Sequence, residues 1–260
     1  MREKSKLIMR CTVVVFCGGR ATRVKRELRR LPKALVPLAN EPYLVVLLKK
    51  LQRVGFANAI ICTSPFTRDI VTELRKKSPR DLDIQFSEDS GKVENGGALW
   101  QAMKSIRTNT ALCINGDTIV DLDHRTLVRE HVKHRASVSI VVSSRADQPH
   151  PGGVVIRPDS WVDDIVEEEL DRAESVGRKE GLRYMSNSGA YVVDREMLLK
   201  NWPKRFRAVK LETGLFRYLA RKRRVWAFDN GNRYLLDFGS PDRLKKLRRN
   251  IDRIEKLLKS

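Results

Sequence analysis

The sequence predicts an α/β fold in which helices flank a mixed, mostly parallel sheet. Two observations lead to this prediction. Short apolar runs rich in β-branched residues alternate with segments whose apolar residues recur at helical spacing, a pattern typical of alternating strands and helices. The chain of 260 residues, of which 41% are hydrophobic, is also long enough to bury a sizeable core.

The alternation runs along most of the chain. Apolar runs predict strands at 12–17, 59–63, 82–86, 111–114, 137–142, 152–156, 162–167, 185–193 and 234–237. Periodic apolar positions predict helices at 43–54, 67–77, 99–106, 123–134, 212–222 and 241–259. Parallel sheets bind ligands beyond the carboxyl ends of their strands, so we expect the turns that follow Cys17 and Ile114 to face one site.

The composition is strongly basic. There are 52 Lys and Arg residues against 32 Asp and Glu residues, and the net charge of +20 indicates anionic partners such as nucleotides, phosphosugars or nucleic acid. Apolar runs are all shorter than a membrane span, so no membrane partner is expected. The charged residues 1–10 make a poor signal peptide, which favours a cytoplasmic location.

The four cysteines and four histidines do not form a metal-binding pattern. There is no CxxC pair, which favours buried reduced thiols over a zinc site. His131 and His134 lie three residues apart on a predicted helix, but no further ligand is near in sequence. We therefore expect the histidines to lie on a solvated face rather than at a metal. The four positions are 124, 131, 134 and 150.

The densest positive charge follows the first predicted strand. Gly18-Gly19 can bring backbone N–H groups close to a ligand. Arg20, Arg23 and Lys33 carry side chains that match phosphate oxygens, and the Thr22 hydroxyl adds a further donor. The segment is neither a Walker A motif nor a GxGxxG fingerprint. It predicts a triphosphate-binding loop, and the alternative is a basic surface turn.

Two aspartates follow strand-like runs at tight glycine turns. Asp117 closes Asn115-Gly-Asp117, and Asp237 precedes Phe238-Gly239. Either turn alone is a weak signal, because aspartates are common at turns. Two carboxylates at two strand ends can share one Mg²⁺, which prefers carboxylates together with phosphate oxygens of a substrate. The two turns and the cationic loop therefore predict one coherent site.

Taken in order, these motifs resemble the signature of the sugar-1-phosphate nucleotidyltransferases. Cys17-Gly-Gly-Arg-Ala-Thr-Arg-Val24, followed by Leu31-Pro-Lys33, is similar to the family pattern Gly-Gly-x-Gly-Thr-Arg-Leu and Pro-Lys. The other segments that carry the resemblance are Gly96-Gly97-Ala98-Leu99, Asn115-Gly-Asp117, Gly153-Val-Val, Ile165-Val-Glu167, Asn187-Ser-Gly-Ala-Tyr-Val-Val193 and Leu236-Asp237-Phe-Gly-Ser-Pro241. The short length and Glu212-Thr-Gly-Leu-Phe216 are most similar to the heptose-1-phosphate guanylyltransferase branch, which is itself similar to mannose-1-phosphate guanylyltransferases.

The resemblance implies a Rossmann-like sheet of the nucleotide-diphospho-sugar transferase type. No hexapeptide repeat follows Leu244, so no C-terminal β-helix is expected. We expect a single domain over residues 1–260. Its parts are a nucleotide-binding half at 11–142, a sugar-phosphate-binding half at 143–240 and a C-terminal helix at 241–260.

The resemblance also implies a reaction and a set of site residues. A nucleoside monophosphate passes from an NTP, with GTP preferred, to a heptose-like or other unusual sugar 1-phosphate, and pyrophosphate leaves. The catalytic residues are Arg23, Lys33 and Asp117, and the ligands of Mg²⁺ are Asp117 and Asp237. The nucleotide-binding residues are Cys17, Gly18, Gly19, Arg20, Thr22, Glu94, Asn95 and Gly96. The residues that bind the sugar phosphate are Gly153, Glu167 and Asn187.

Three positions depart from the family pattern. Ala21 replaces a glycine, and since a left-handed turn costs Ala about 1 kcal/mol, we expect a reshaped loop there. Glu94-Asn95 replaces Gly-Thr, which motivates the hypothesis that the Glu94 carboxylate accepts guanine N1–H and N2–H₂; the alternative is a solvent-facing side chain. Glu168 stands where a lysine often meets the sugar phosphate.

Two alternatives to an active enzyme stay open. Ala21 and Glu168 also fit a catalytically impaired regulatory member of the family. The net charge also fits a nucleic-acid-binding protein, although the 7% aromatic content and the confinement of the densest cations to the glycine loop argue against it. Apolar positions 244, 247, 251, 254 and 258 form a heptad-like seam, which either packs on its own domain or forms a homodimer contact.

Overall fold

The computed structural model describes residues 7–29, 31–91, 93–144, 153–166, 181–203 and 209–259. The strands are β1 (Cys11–Phe16), β2 (Pro37–Leu38), β3 (Glu41–Pro42), β4 (Asn58–Thr63), β5 (Asp83–Glu88), β6 (Thr110–Asn115), β7 (Thr118–Val120), β8 (Val138–Ser143), β9 (Gly153–Ile156), β10 (Val162–Val166), β11 (Arg183–Asp194), β12 (Val225–Asp229) and β13 (Leu235–Asp237). The α-helices are α1 (Tyr43–Val54), α2 (Asp69–Lys77), α3 (Asn95–Ala102), α4 (His124–His134), α5 (Arg195–Lys200), α6 (Arg217–Ala220), α7 (Pro241–Arg249) and α8 (Ile251–Lys259). A π-helix, Leu211–Phe216, directly precedes α6.

A nine-stranded sheet extends through both predicted halves of the chain. Its order is β10-β9-β11-β6-β1-β4-β5, and β8 pairs with both β11 and β12. β6, β1, β4 and β5 are mutually parallel, whereas β11 is antiparallel to β6, β8 and β9. The predicted mixed α/β fold is therefore confirmed, and each antiparallel pair of this sheet includes a strand from the second predicted half.

The apolar character of the central strands follows from burial on both faces of the sheet. Along β1, Val13 and Val15 belong to one hydrophobic cluster, and Val14, between them, belongs to the other. Successive side chains of a strand point to opposite faces, so each cluster fills one side of the sheet. A strand buried on both faces shows a continuous apolar run instead of an alternating one.

Strand register brings the first two predicted turns together. Phe16, the last residue of β1, pairs with Asn115, the last residue of β6. Gly116 donates its N–H to the Phe16 carbonyl at 2.9 Å, and a Cβ on Gly116 would lie 2.7 Å from both that oxygen and Cys17 Sγ. Only glycine fits so close to the neighbouring turn. The two turns leave the same edge of the sheet side by side, as predicted.

Several element bounds differ from the predictions. Helix α3 begins at Asn95 instead of 99, and its first turn contains the buried residues Gly96 and Gly97. The helix predicted at 212–222 is the π-helix followed by α6, and the C-terminal helix is interrupted at Asn250. Helix α5 and strand β12 have no counterpart among the predictions.

The apolar seam near the C-terminus packs within the chain. Four residues of the seam belong to the main hydrophobic cluster, namely Leu244, Leu247, Ile254 and Leu258. The same cluster contains the buried face of α1. Helix α1 also donates a hydrogen bond from Lys50 Nζ to the Leu257 carbonyl at 2.9 Å. These contacts match the intramolecular alternative, and the homodimer stays a prediction. Within the described ranges, each helix is too short or too polar to cross a membrane.

The cysteines and histidines are buried more often than they are exposed. All four cysteines are free and buried, as predicted. The expectation of a solvated histidine face is wrong for His124 and His131, whose exposed fractions are 4% and 2%. Burial lowers the pKa of each to about 4, so both are neutral at pH 7. His131 Nδ1 lies 2.8 Å from Ser139 Oγ, and His150 lies outside the described residues.

Candidate active site

A cavity of about 690 Å³ opens at the carboxyl edge of the sheet. The predicted site residues that line it are Cys17, Gly18, Gly19, Arg23, Lys33, Glu94, Asn95, Asp117, Asn187 and Asp237. Other polar residues that line it, none of them predicted as site residues, are Asp89, Asn115, Thr118, Lys210, Glu212 and Thr213. The structure thus brings most of the predicted site into one cavity. Four predicted residues, namely Arg20, Thr22, Gly96 and Gly153, are not part of the cavity lining.

The glycine loop is held by strand β4 and the turn after it. Cys17 donates its N–H to the Cys62 carbonyl at 2.9 Å, which continues the pairing of β1 with β4. Ser64 Oγ donates to the Gly18 carbonyl at 2.8 Å. Nothing lies within 4 Å of a Cβ built on Gly19, so that face of the loop is open. A fixed loop with an open backbone face suits the binding of an anion.

The two predicted phosphate-binding arginines take different positions. The Arg20 guanidinium lies over the Phe66 ring, 4.3 Å from its centroid, in a cation–π contact. Arg23 belongs to the short helical turn Thr22–Val24 and lines the cavity. Thr22 is exposed. In this conformation, Arg23 is the arginine placed to meet a ligand of the cavity.

Ala21 keeps the backbone conformation that glycine favours. Its φ and ψ are 53° and 29°, in the left-handed region, and its carbonyl accepts the Val24 N–H at 3.1 Å. The loop therefore turns through the left-handed conformation in spite of the side chain. The left-handed conformation costs Ala21 about 1 kcal/mol of backbone strain, and a difference from the loop of other family members stays a prediction.

Three charged side chains meet around Gly239. Lys33 Nζ lies 2.7 Å from Asp117 Oδ2. A Cβ on Gly239 would lie 2.9 Å from Asp237 Oδ1, 3.1 Å from Lys33 Nζ and 3.2 Å from Asp117 Oδ2. Strand pairing explains the convergence, because β13 sets Asp237 opposite Thr118 and Phe238 donates its N–H to the Asp117 carbonyl at 3.0 Å. The two predicted metal-binding aspartates therefore share one corner of the cavity.

Asp237 has two hydrogen-bond donors of its own. Its Oδ1 accepts the Gly239 N–H at 2.6 Å, and its Oδ2 accepts Arg243 Nη1–H at 2.7 Å. Arg243 is the third residue of α7, which begins at Pro241, so its side chain reaches back over the preceding turn. The Asp237 carboxylate is thereby fixed in orientation.

On the far side of the cavity, Glu212 connects α3 with β11. The Asn95 amide donates to both oxygens of the Glu212 carboxylate, at 3.1 and 3.0 Å. The Tyr191 hydroxyl donates to Glu212 Oε1 at 2.6 Å and accepts from Asn187 Nδ2 at 3.0 Å. Burial raises the pKa of Tyr191 well above its usual range, so its hydroxyl stays protonated as a donor. The π-helix supplies the Glu212 side chain, and such helices are frequent at functional sites.

Two residues predicted to bind the nucleotide, Asn95 and Gly96, form hydrogen bonds within the protein. Asn95 Oδ1 accepts the Leu211 N–H at 2.8 Å, and Gly96 donates its N–H to the Val209 carbonyl at 3.0 Å. These bonds join the start of α3 to the start of the π-helix. Direct contact of Asn95 and Gly96 with a nucleotide stays a prediction.

The comparison with known families agrees with this geometry. A family model described as nucleotidyl transferase matches residues 12–253. The chain belongs to the nucleotidyl transferase family. The match includes the glycine loop, both aspartates and the whole cavity lining.

Relatives of this nucleotidyl transferase include sugar-phosphate guanylyltransferases. A D-glycero-alpha-D-manno-heptose 1-phosphate guanylyltransferase of Campylobacter jejuni is 24% identical over 229 residues, covering 88% of this chain and 95% of the relative. A mannose-1-phosphate guanylyltransferase of Mycobacterium tuberculosis is 26% identical over 185 residues, covering 71% of this chain and 49% of that protein. The crystal structure of HddC from Yersinia pseudotuberculosis, also solved in complex with GMP-PN, has the same fold, with a TM-score of 0.70, 24% identity and coverage of 91% and 97%.

The donor set of this nucleotidyl transferase fits a hard divalent cation. Asp117 and Asp237 supply two carboxylates at one corner. No group of three or more His, Cys, Asp or Glu side chains that could hold a metal ion occurs in the part of the chain that the structure describes. A cation there would depend on water and substrate phosphate for its remaining ligands, which is the coordination that Mg²⁺ favours. Enzymes of this family generally use divalent metal ions.

Asp89 is a carboxylate of the cavity that the sequence predictions missed. It follows β5 at the carboxyl edge, and its Oδ1 accepts the Gly91 N–H at 2.5 Å. Its Oδ2 lies 3.3 Å from the position of a Cβ on Gly18. Burial raises the pKa of Asp89 above its usual range. Its position directly after a strand of the parallel sheet is the feature from which the sequence could have predicted it as a site residue.

The structure describes two of the three residues predicted to bind the sugar phosphate, Gly153 and Asn187. Gly153 is in β9, between β10 and β11, and a Cβ there would overlap the Tyr184 ring. Asn187 lines the cavity, and its Oδ1 accepts the Gly189 N–H at 2.9 Å. Glu167 and Glu168 lie outside the described residues. The sequence did not predict Glu212 as a site residue, although it lies within the Glu-Thr-Gly segment that carries the family resemblance.

Proposed function

We propose that this enzyme transfers GMP from GTP to a heptose-like sugar 1-phosphate, with release of pyrophosphate. The observation that carries the proposal is the convergence of Lys33, Asp117 and Asp237 beside the glycine loop. The names of relatives that match most of the chain support the choice of guanine nucleotide and heptose phosphate. The complex of HddC with GMP-PN adds support for a guanine nucleotide.

The residues of the site position phosphates and balance their charge. A phosphate nucleophile is already ionised near neutral pH, so in-line attack on the α-phosphorus needs no general base from the protein. The open backbone of Gly18-Gly19 and the Arg23 guanidinium are suited to the β- and γ-phosphates, and Arg20 adds a charge if it leaves Phe66. Lys33 is placed to stabilise the charge at the α-phosphate. Mg²⁺ held by Asp117 and Asp237 would neutralise phosphate oxygens.

The far side of the cavity has the chemistry of a sugar site. Hydroxyl groups both donate and accept hydrogen bonds, and this side of the cavity has the amide of Asn187 and the carboxylate of Glu212. Glu167 and Gly153 remain predicted sugar contacts. This polarity favours a hydroxyl-rich acceptor over an apolar one.

The test is a pyrophosphate-release screen. The four common NTPs are each paired with hexose, heptose and octose 1-phosphates in the presence of Mg²⁺. We expect GTP with a heptose 1-phosphate to give the highest rate, and Asp117→Asn to abolish it. Turnover restricted to another nucleotide or another sugar phosphate would contradict the proposed specificity, whereas absence of turnover with every pair would contradict the proposed activity.

A regulatory role and a nucleic-acid-binding role are less well supported. Lys33, Asp117 and Asp237 converge in this chain although Ala21 departs from the family pattern, which favours an active enzyme. Binding of nucleic acid without pyrophosphate release from any substrate pair would favour the alternative role. The cytoplasmic location and the homodimer remain predictions.

A further inference from the structure

The two aspartates at the predicted metal corner each have a cationic side chain of the protein as a partner. Lys33 pairs with Asp117 at 2.7 Å, and Arg243 pairs with Asp237 at 2.7 Å. The four side chains are 18–26% exposed, so these pairs are less screened than pairs on an open surface. Together the two pairs carry no net charge. A corner of this kind attracts a free divalent cation far less than two unpaired carboxylates would.

The cationic side chains of Lys33 and Arg243 differ in their relation to the motifs that predicted the site. Lys33 begins the short turn Lys33–Leu35 after Pro32, in the segment that the sequence assigns to catalysis. Arg243 lies on α7, outside every motif that predicted the site. It donates to Asp237 Oδ2, and the Gly239 N–H donates to Asp237 Oδ1. A divalent cation that binds Asp237 would do so against the nearby guanidinium charge.

Helix α7 also contacts the segment that follows the glycine loop. This helix packs against the turn Thr22–Val24, which contains Arg23, and Arg248 donates from α7 to the Glu27 carbonyl at 3.3 Å. Helix α7, which carries Arg243, therefore lies beside the turn that carries Arg23. A guanidinium released from Asp237 can bind phosphate oxygens.

We propose that Arg243 is an internal counter-ion that keeps Asp237 from binding a divalent cation until nucleotide phosphate arrives. The cation then enters together with the nucleotide, and Arg243 exchanges its carboxylate partner for a phosphate. This inference rests on the proposed metal role of the two aspartates. It makes metal affinity conditional on substrate, which limits occupation of the site by free metal ions.

The test measures Mn²⁺ binding to the free protein by electron paramagnetic resonance, without nucleotide and with a non-hydrolysable GTP analogue. The parent protein should bind Mn²⁺ at this corner weakly alone and at least about tenfold more tightly with the analogue, a factor within the usual range of coupling between two ligands. Arg243→Gln should bind Mn²⁺ about tenfold more tightly than the parent without nucleotide, because a neighbouring charge is removed. Arg243→Lys should behave like the parent, because the charge is kept.

Lys245→Gln is the matched control, because it removes a cation from the same helix, where Lys245 faces Asp242 at 3.8 Å instead of the cavity. It should leave Mn²⁺ affinity unchanged. The comparison requires that the circular dichroism melting curves of Arg243→Gln and the parent match. If the two proteins then bind Mn²⁺ with equal affinity in the absence of nucleotide, the proposed role of Arg243 is overturned. If Asp117→Asn and Asp237→Asn also leave Mn²⁺ binding with nucleotide unchanged, the proposed metal site itself fails, and the two failures are thereby distinguished.

Discussion

Asn95 and Glu212 lie 117 positions apart in the chain and are joined by two hydrogen bonds across the cavity, at 3.1 and 3.0 Å. Asn95 begins helix α3 in the predicted nucleotide-binding half, and Glu212 belongs to the π-helix in the predicted sugar-phosphate-binding half. The pair therefore couples the two sides of the site. Its partner Tyr191 adds a third hydrogen bond at 2.6 Å and ties the pair to the central sheet.

Replacing Glu212 with Gln should weaken this coupling. Glutamine keeps the shape of the side chain, but its NH₂ group would face the donors Asn95 or Tyr191, and a buried donor without an acceptor costs about 1–3 kcal/mol. We expect the KM for the sugar phosphate to rise about tenfold or more, a loss consistent with that range. Steady-state kinetics with each substrate varied in turn provides the measurement.

Tyr191→Phe is the control for this substitution, since it removes one donor to Glu212 and leaves the Asn95 bonds in place. Its effect should be smaller than that of Glu212→Gln. An equal or larger effect would show that the hydroxyl, instead of the carboxylate, holds the network together.

Replacing Ala21 with Gly should stabilise the protein. Ala21 has a φ of 53°, and relief of left-handed strain in an alanine is worth about 1 kcal/mol, partly offset by the greater freedom of glycine in the unfolded chain. The free energy of unfolding in urea should therefore rise by up to about 1 kcal/mol. Ala21→Val should lower it, because β-branched residues tolerate this region poorly. A more stable valine variant would refute the strained conformation.

Stability should fall as the pH drops from 6.5 to 4. Burial lowers the pKa of His124 and His131 to about 4, whereas both titrate near 6.5 in the unfolded chain. Below pH 6.5 the unfolded state binds protons that the folded state does not bind. Each histidine therefore removes up to about 1.4 kcal/mol of stability per pH unit in this range.

Urea unfolding at half-unit intervals of pH checks this slope. His131→Asn, which can keep a hydrogen bond to Ser139, should lose about half of it, and a double variant with His124→Asn should lose most of it. If the slope is the same in the double variant, other groups cause the acid sensitivity.

Two carboxylates near the glycine loop are candidates for recognition of guanine. Glu94 and Asp89 both line the cavity, and Glu94 carries the hypothesis drawn from the sequence. Loss of a bidentate contact to a base costs about 1–3 kcal/mol, so Glu94→Gln should reduce the preference for GTP over ATP about tenfold to a hundredfold. Competition between the two nucleotides for turnover measures this preference. A change in Asp89→Asn alone would transfer the role to Asp89.

The sequence predicted the elements of the site better than their detailed contacts. Strand ends were predictable because burial on both faces makes β1 and β6 continuous apolar runs, and glycine turns terminate them. The two aspartate turns after apolar runs were visible in the sequence, but Asp117 and Asp237 meet through the separate two-stranded pair of β7 and β13. Helix α1 has the predicted bounds, because its apolar positions recur regularly and Gly55 ends it in a left-handed conformation.

Other features depend on tertiary contacts that leave no local pattern. The early start of α3 is stabilised by the bond from Gly96 to the Val209 carbonyl, 113 positions away, and intrinsic propensity opposes two glycines in a first turn. His131 is buried where α4 packs, and its Nδ1 lies 2.8 Å from Ser139 Oγ of β8. The partner of Asp237 comes from a helix that the sequence identified only by its apolar seam.

Strand β11 has a consequence for how this enzyme can move. Its twelve residues bond in turn to β9, β8 and β6, and Gly189, at a φ of 67°, lies where its register with β8 shifts. The two predicted halves are therefore joined by a shared hydrogen-bonded ladder, and a rotation of one half against the other would require breaking the pairs of β11 with β6 or β8.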